Sequence, residues 1–367
     1  MTGNSGGHGA GDPGVGGLPA DWGALAAAAA HAVHARFGHR LMRLPGTWIG
    51  AVASPPARAP APWSEWHYWW QAHYLDAVVD AGFRGLRAGN REAAAQDLAR
   101  GRALLRGIMV RNFGRFPNFY YDDMAWLALA AGRLDRLSRA SAGRPAALAG
   151  PASATLTDHL RKAGDGVLGG GLYWSRKRDY KNTPVNGPAA LHFARVGETD
   201  RARAVVDWLR ARLFAPDSGL YLDGVHPSAR GPEVERTIHT YNQGPVLAAL
   251  LELDHPRYAG QAADLVAAIE RRLVTGGGGL RLEPGGDGSL FTGILCRYLA
   301  VAARDRRLPA DARSTAARLV ALTAASLAGT PGPAILSAAV QRWTVFEAAA
   351  ALAGEVPETA GRPVDAG

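Results

Sequence analysis

A chain of 367 residues with 47% apolar side chains holds enough material for one large folded unit or two of ordinary size. Its net charge of +9 comes almost wholly from arginine in an Ala- and Gly-rich background, and no arginine run is interleaved with aromatics, which argues against a nucleic-acid partner. The single cysteine, Cys296, excludes an internal disulfide and a cysteine-based zinc site and reads as a small buried side chain; no apolar run reaches membrane-spanning length.

In chain order, residues 1–18 are Gly-rich and predicted to be disordered. They lack the basic start and apolar stretch of a secretory leader, so the chain as written is expected in the cytoplasm, or outside the cell if the start codon is misassigned. Gly/Pro punctuation and apolar spacing then predict helices over 20–37, 64–87, 91–111, 119–132, 153–165, 184–196, 199–214, 240–253, 257–274, 290–304, 309–327 and 335–353. In the first, His31 and His34 share a face, with His39 just beyond; no carboxylate accompanies them, and they read as solvated rather than metal-ligating. Strand signals are scarce, and short hairpins are expected near "GLYWSRKRDY", "GLYLDGV" and "GGGGLRLEPGGDG". Residues 356–367 are expected to form a flexible tail.

Polar and aromatic groups recur at every second helix start: "PWSEWHYWW", "FYYDD", "YKNTPVNG", "IHTYNQG", "GGDGSLFTG" and "AILSAAVQRW". The odd-numbered helices are ordinarily amphipathic. Such alternation, at the spacing of one helix pair, predicts an all-α (α/α)6 barrel over residues 19–355. Six inner helices would run parallel and place their starts on one rim, with only a few short hairpins between.

The rim carries the chemistry. Asp122 and Asp123 stand at the start of a helix that is apolar on nearly every side, directly after Phe119, Tyr120 and Tyr121. An N-cap aspartate with a first-turn neighbour would explain one such pair. A buried pair, however, repels, and one proton affinity must rise. A protonated acid beside an ionised one is the equipment for cleaving a glycosidic bond. Trp63, Trp66, Trp69, Trp70, Tyr173, Trp174 and Trp343 offer flat faces for sugar rings, although any single tryptophan is as readily core. Asn182, Asn186, His239, Asn242 and Gln243 offer fixed hydrogen bonds to hydroxyls. The sugar-binding candidates are Trp66, His67, Tyr120, Tyr121, Trp174, Asn182, Asn186, Tyr241, Asn242, Gln243, Asp287 and Phe291. No cofactor or metal is expected.

The segments "YWWQAHYLDAVVDA", "FYYDDMAWLALA", "GGGLYWSRKRDYKNTPVNGPAAL", "TYNQGPVLAALLEL" and "GDGSLFTGILCRYLA" together resemble glycoside hydrolase family 76, the endo-α-1,6-mannanases. The resemblance implies an (α/α)6 barrel and retaining hydrolysis of α-1,6-linked mannan or manno-oligosaccharides. It also implies Asp122 as nucleophile and Asp123 as general acid/base. Two features depart from the family pattern. Phe291-Thr292-Gly293 stands where a lysine is frequent at the middle position, which predicts a lysine missing near the sugar sites, and "NTPVNGPAA" carries prolines where apolar residues are usual. A transglycosylase on the same glycan, a sugar epimerase using His67 and His239, and a non-catalytic glycan-binding protein are the alternatives. The chain is expected to be a monomer.

Overall fold

The structure, a computed structural model, describes residues 21–55 and 64–353. The predicted tails 1–18 and 356–367, and Trp63, lie outside the described residues. The described residues form twelve α-helices, one for each predicted stretch: α1 (Trp22–Arg36), α2 (Tyr68–Arg87), α3 (Arg91–Arg111), α4 (Tyr121–Ala142), α5 (Ala149–Arg161), α6 (Thr183–Arg195), α7 (Thr199–Arg212), α8 (Thr240–Glu252), α9 (Pro256–Leu273), α10 (Gly285–Arg304), α11 (Ala310–Ala328) and α12 (Leu336–Ala353). Local chemistry sets several of their ends. Asp21 and Asn90 cap α1 and α3 by accepting from Ala24 N and Ala93 N. Gly143 ends α4 in the left-handed region, which glycine adopts without strain. α4 runs ten residues past its predicted end at residue 132, because its final turns are amphipathic and Leu134 and Leu137 are buried.

The even-numbered helices close a ring: α2 packs on α4, α4 on α6, α6 on α8, α8 on α10, α10 on α12, and α12 back on α2. The odd helices form an outer layer, α3 on α2, α5 on α4, α7 on α6, α9 on α8, α11 on α10 and α1 on α12. This is an (α/α)6 barrel. Inner helices are buried on most sides, as in the unbroken run from Asp123 to Ala131.

Strands are short. β1 (Gly38–His39) pairs with β2 (Ile49–Gly50). β3 (Lys181–Asn182), β6 (Gly224–His226) and β7 (Glu233–Glu235) form an antiparallel sheet in the order β3-β6-β7, and β4 (Phe214–Ala215) pairs with β5 (Leu220–Tyr221). The first two hairpin expectations thus fall near real pairings. The third is met only at its start, by an antiparallel bridge from Val274 to Leu280; Gly285 to Gly288 already form the first turn of α10.

Two polar devices hold the barrel. Along its axis, Arg133 of α4 bonds Asp76 and Asp80 of α2, while Arg297 of α10 lies 3.1 Å from Asp76 Oδ2 and 2.7 Å from Asp80 Oδ2. Burial favours a neutral Asp76, but the two guanidiniums outweigh it and hold the carboxyl down at about 2. The second device is a set of buried carboxamides that bond backbone as a strand would. Gln71 of α2 exchanges two 2.9 Å bonds with Gly50. Asn186 of α6 does the same with Leu172, at 2.7 and 2.9 Å, and Gln243 of α8 with Tyr221, at 2.9 Å each. Gln341 of α12 accepts from Thr292 N and Gly293 N.

Cys296 is fully buried, as expected. His34 departs from the solvated reading. It packs against the inner ring, with Nδ1 2.7 Å from Tyr74 Oη, and burial pulls its pKa down to about 4.

Candidate active site

A cavity of about 740 Å³ opens at the starts of the inner helices. α2, α4, α6, α8 and α10 or the residues just before them supply its walls; nothing from the start of α12 reaches it. Asp122 and Asp123 form part of its floor.

The segment before α4 is pinned by the chain before α6. Tyr121 N donates to Trp174 O at 2.8 Å, Arg176 N donates to Phe119 O at 3.1 Å, and Tyr120 bridges Ser175. This docking swings the Trp174 indole over the acid pair, where Nε1 donates to Asp122 Oδ2 at 2.9 Å. Neither aspartate is the N-cap; Tyr120 holds that position without a side-chain bond. Asp122 Oδ1 instead accepts from Asp123 N at 2.9 Å. Asn118 Nδ2 donates to Asp123 Oδ2 at 2.5 Å.

Burial raises both carboxyls. Asp122 rises to about 7, because burial outweighs the donors on both of its oxygens, and nearby Asp223 adds to the rise. Asp123 is held well above the usual carboxylate range: burial is again the main cause and the charge of Asp122 comes next, against the Asn118 donor. A charge on Asp122 thus favours the protonated form of Asp123, and the two carboxyls hold their protons unequally.

Aromatic rings make the walls. Tyr241 and Phe291 stack with centroids 3.8 Å apart, and Trp69 and Trp126 stand beside them, each 6.5 Å from Tyr241. Tyr120 and Trp174 face each other at 5.0 Å across another part of the wall. Asp287, in the first turn of α10, accepts from Trp70 Nε1 at 2.8 Å and Trp69 Nε1 at 3.2 Å. On the hairpin side, Asp223 accepts from Tyr180 Oη at 2.7 Å and Asn242 Nδ2 at 3.0 Å. Tyr180 leans on Gly224, where an added Cβ would lie 2.4 Å from its ring.

Of the sequence candidates, Asp122, Asp123, Trp66, His67, Tyr120, Trp174, Asn182, Tyr241, Asp287 and Phe291 line this cavity. Tyr121, Asn186, Asn242 and Gln243 do not. Tyr121 is packed into the core, Asn186 and Gln243 are the backbone clamps described above, and Asn242 holds Asp223. Tyr173 and Trp343 are core residues bonded to Asp165 and Glu347. His239 does not line the cavity; it bonds Glu283 at 2.6 Å, so His67 and His239 are not brought together there. Thr292 points away from the sugar side. It is fully buried, its Oγ1 donating to Arg281 O at 2.7 Å, so no gap is left among the cavity residues at this position.

Sequence reasoning missed Tyr68, Asn112, Asn118, Trp126, Tyr180, Asp223 and Glu235. Two had a signal. Trp126 follows Asp122 by four residues and Asp123 by three, so all three project from one side of α4. Asp223 is a carboxylate inside the apolar hairpin "LYLDGV". Among the described residues no group of three His, Cys, Asp or Glu side chains has the arrangement to hold a metal ion.

The family model "Glycosyl hydrolase family 76" matches residues 26–330. The chain belongs to glycosyl hydrolase family 76. Family membership makes it a glycoside hydrolase. Among solved structures, an inactive variant of the α-1,6-mannanase of Salegentibacter sp. HEL1_6, in complex with α-1,6-mannotriose, is 25% identical with a TM-score of 0.77; the match covers 90% of this chain and 99% of that one. That variant has two consecutive aspartates replaced by asparagine. A second variant of the same mannanase, with both aspartates replaced by alanine and α-1,6-mannotetrose bound, is 26% identical with a TM-score of 0.78 over the same shares. A Listeria innocua protein, 24% identical, shares the fold with a TM-score of 0.74, over 90% of this chain and 97% of that one. No curated protein matches.

Proposed function

We propose that this hydrolase is a retaining α-1,6-mannanase that works by double displacement at Asp122 and Asp123. The observation that carries the reading is the unequal acid pair on the floor of an aromatic trough. The Salegentibacter mannanase, inactive with two consecutive aspartates replaced and bound to α-1,6-linked mannose, supports both the residues and the substrate.

Each side chain then has a task. Asp122, with a donor on each oxygen, is the carboxylate that attacks the anomeric carbon. Asp123 keeps its proton longer and delivers it to the departing glycosidic oxygen. The mannosyl ester on Asp122 is next attacked by water, whose proton returns to Asp123, restoring both groups. The stacked Tyr241–Phe291 pair, Trp69, Trp126 and Trp174 hold sugar rings by their flat C–H faces. Asn182, Asp223 and Asp287 take hydroxyls.

The test is product analysis on linear α-1,6-mannan. Wild type should release reducing ends with the α anomer formed first, as followed by NMR. Asp122→Asn and Asp123→Asn should each lose about 10³-fold or more in rate. Full activity in either variant, or a β first product, would overturn the mechanism.

A further inference from the structure

A second cavity, of about 330 Å³, lies at the opposite end of the barrel, where the inner helices finish. Among the described residues six arginines line it: Arg87, Arg133, Arg136, Arg195, Arg297 and Arg304. The two carboxylates among its described lining residues are already engaged, Asp80 by Arg133 and Arg297, and Glu347 by Arg84. Arg87, Arg195 and Arg304 are the last residues of α2, α6 and α10, so alternate inner helices each deliver one guanidinium to the same pit.

A lone arginine at a helix C-terminus complements the helix dipole, and this explains any one of the three taken singly. It does not explain Arg136, which sits well inside α4 (Tyr121–Ala142) and points into the same space. Arg136 and Arg87 make no hydrogen bond or ion pair with the described residues. Arg195 bonds Glu252 through Nε, but its Nη1 is buried and has no partner. The cations also oppose one another. The Arg136 and Arg87 side chains keep solvent access, but partial desolvation lowers Arg136 to about 10, with Arg195 and Arg133 adding to the shift against Glu252 and Asp76, and it lowers Arg87, with Arg304 adding against Glu347 and Asp80. The guanidiniums of Arg87, Arg136 and Arg195, converging on a small hollow with donors to spare, suit an ion with several acceptor oxygens, since each fork binds two of them.

We propose that this distal pit is a binding site for a phosphate monoester or diester, whether a free sugar phosphate or the headgroup of an anionic lipid. It lies at the far end of the barrel from the acid pair and does not depend on the assignment of the mannanase reaction. The contrast in charge is sharp: among the described residues, the lining of the mouth includes Asp122, Asp123, Asp223, Glu235 and Asp287 but neither lysine nor arginine.

The experiment compares wild type with Arg87→Gln/Arg136→Gln by calorimetry against inorganic phosphate and a hexose 6-phosphate, and by co-sedimentation with phosphatidylcholine vesicles with and without phosphatidylinositol. Wild type should bind at least one phosphate probe saturably, and the double variant should bind it about tenfold or more weakly. Hydrolysis of mannan without added phosphate should be unchanged. Both side chains are exposed, so the variant should fold; should it melt early, Arg87→Gln alone gives the same readout. Binding of the soluble probes identifies a free metabolite, and binding only to the anionic vesicles identifies a lipid. No saturable binding to any probe, or equal binding by the variant, would overturn the site.

Discussion

The indole of Trp174 and the carboxylate of Asp122 are joined by a 2.9 Å hydrogen bond between residues fifty-two positions apart. The donor favours the ionised carboxylate. Trp174→Phe keeps the ring and removes the donor, so the Asp122 pKa should rise and the acidic limb of kcat/KM should move to higher pH. A bond to a charged group is worth about 1.5–3 kcal/mol, which corresponds to a loss of roughly 10–100-fold at neutral pH. A pH profile of the variant measures both effects. An unchanged acidic limb would mean that Trp174 only stacks on the sugar.

The pair itself sets the wild-type profile. In the proposed double displacement, attack requires Asp122 ionised and departure requires Asp123 protonated. Activity should therefore climb with pH through about 7 and fall again as Asp123 loses its proton. A profile flat from acid to alkaline pH would contradict this division of labour.

The same shifts carry a stability consequence. A carboxyl whose folded pKa is raised contributes stability below its unfolded pKa and loses that contribution as pH rises through the folded value. For Asp122 the loss runs from about 4 to about 7. Asp122→Asn/Asp123→Asn should therefore melt a few degrees above wild type at about pH 8 and close to it at about pH 4. A larger gain at the acidic end would reverse the sign and reject the argument.

The axial ion pairs make the opposite case. Arg297→Leu leaves Asp80 and Asp76 with a single guanidinium between them, and should cost about 3–5 kcal/mol in urea unfolding. Asp76 has a lowered pKa, so its contribution is present above the unfolded value and fades as pH falls from about 4 toward about 2. A variant as stable as wild type would show the ring to be dispensable.

Gly224→Ala should act on the substrate rather than the fold. The new Cβ meets the Tyr180 ring and displaces the hydroxyl that holds Asp223. KM on manno-oligosaccharides should rise several-fold with little change in melting temperature; an unchanged KM would remove Asp223 from the binding surface.

The sequence made the helices legible because glycine, proline and apolar spacing are local signals, and the ring because aromatic and polar clusters recur at alternate starts. The Asp122–Asp123 pair stood out for the same reason. Side-chain direction was not legible. Asn186 and Gln243 occur in the same motifs as Asn182 and Tyr241, yet they turn inward to backbone, because a buried strand end needs a partner and an amide supplies both donor and acceptor. The opposite error hid Tyr180, Asp223 and Glu235. Glu235 ends β7, and Tyr180 and Asp223 directly precede β3 and β6, whose pairing brings distant stretches together and leaves no periodic trace in so few residues.

Those amide clamps have one more effect. The peptide units at Leu172 and Tyr221, just before Trp174 and Asp223, are bolted to α6 and α8 by paired bonds that water cannot easily replace. Along these two stretches the groove is cast rather than hinged: their course is settled when the chain folds, before any glycan arrives.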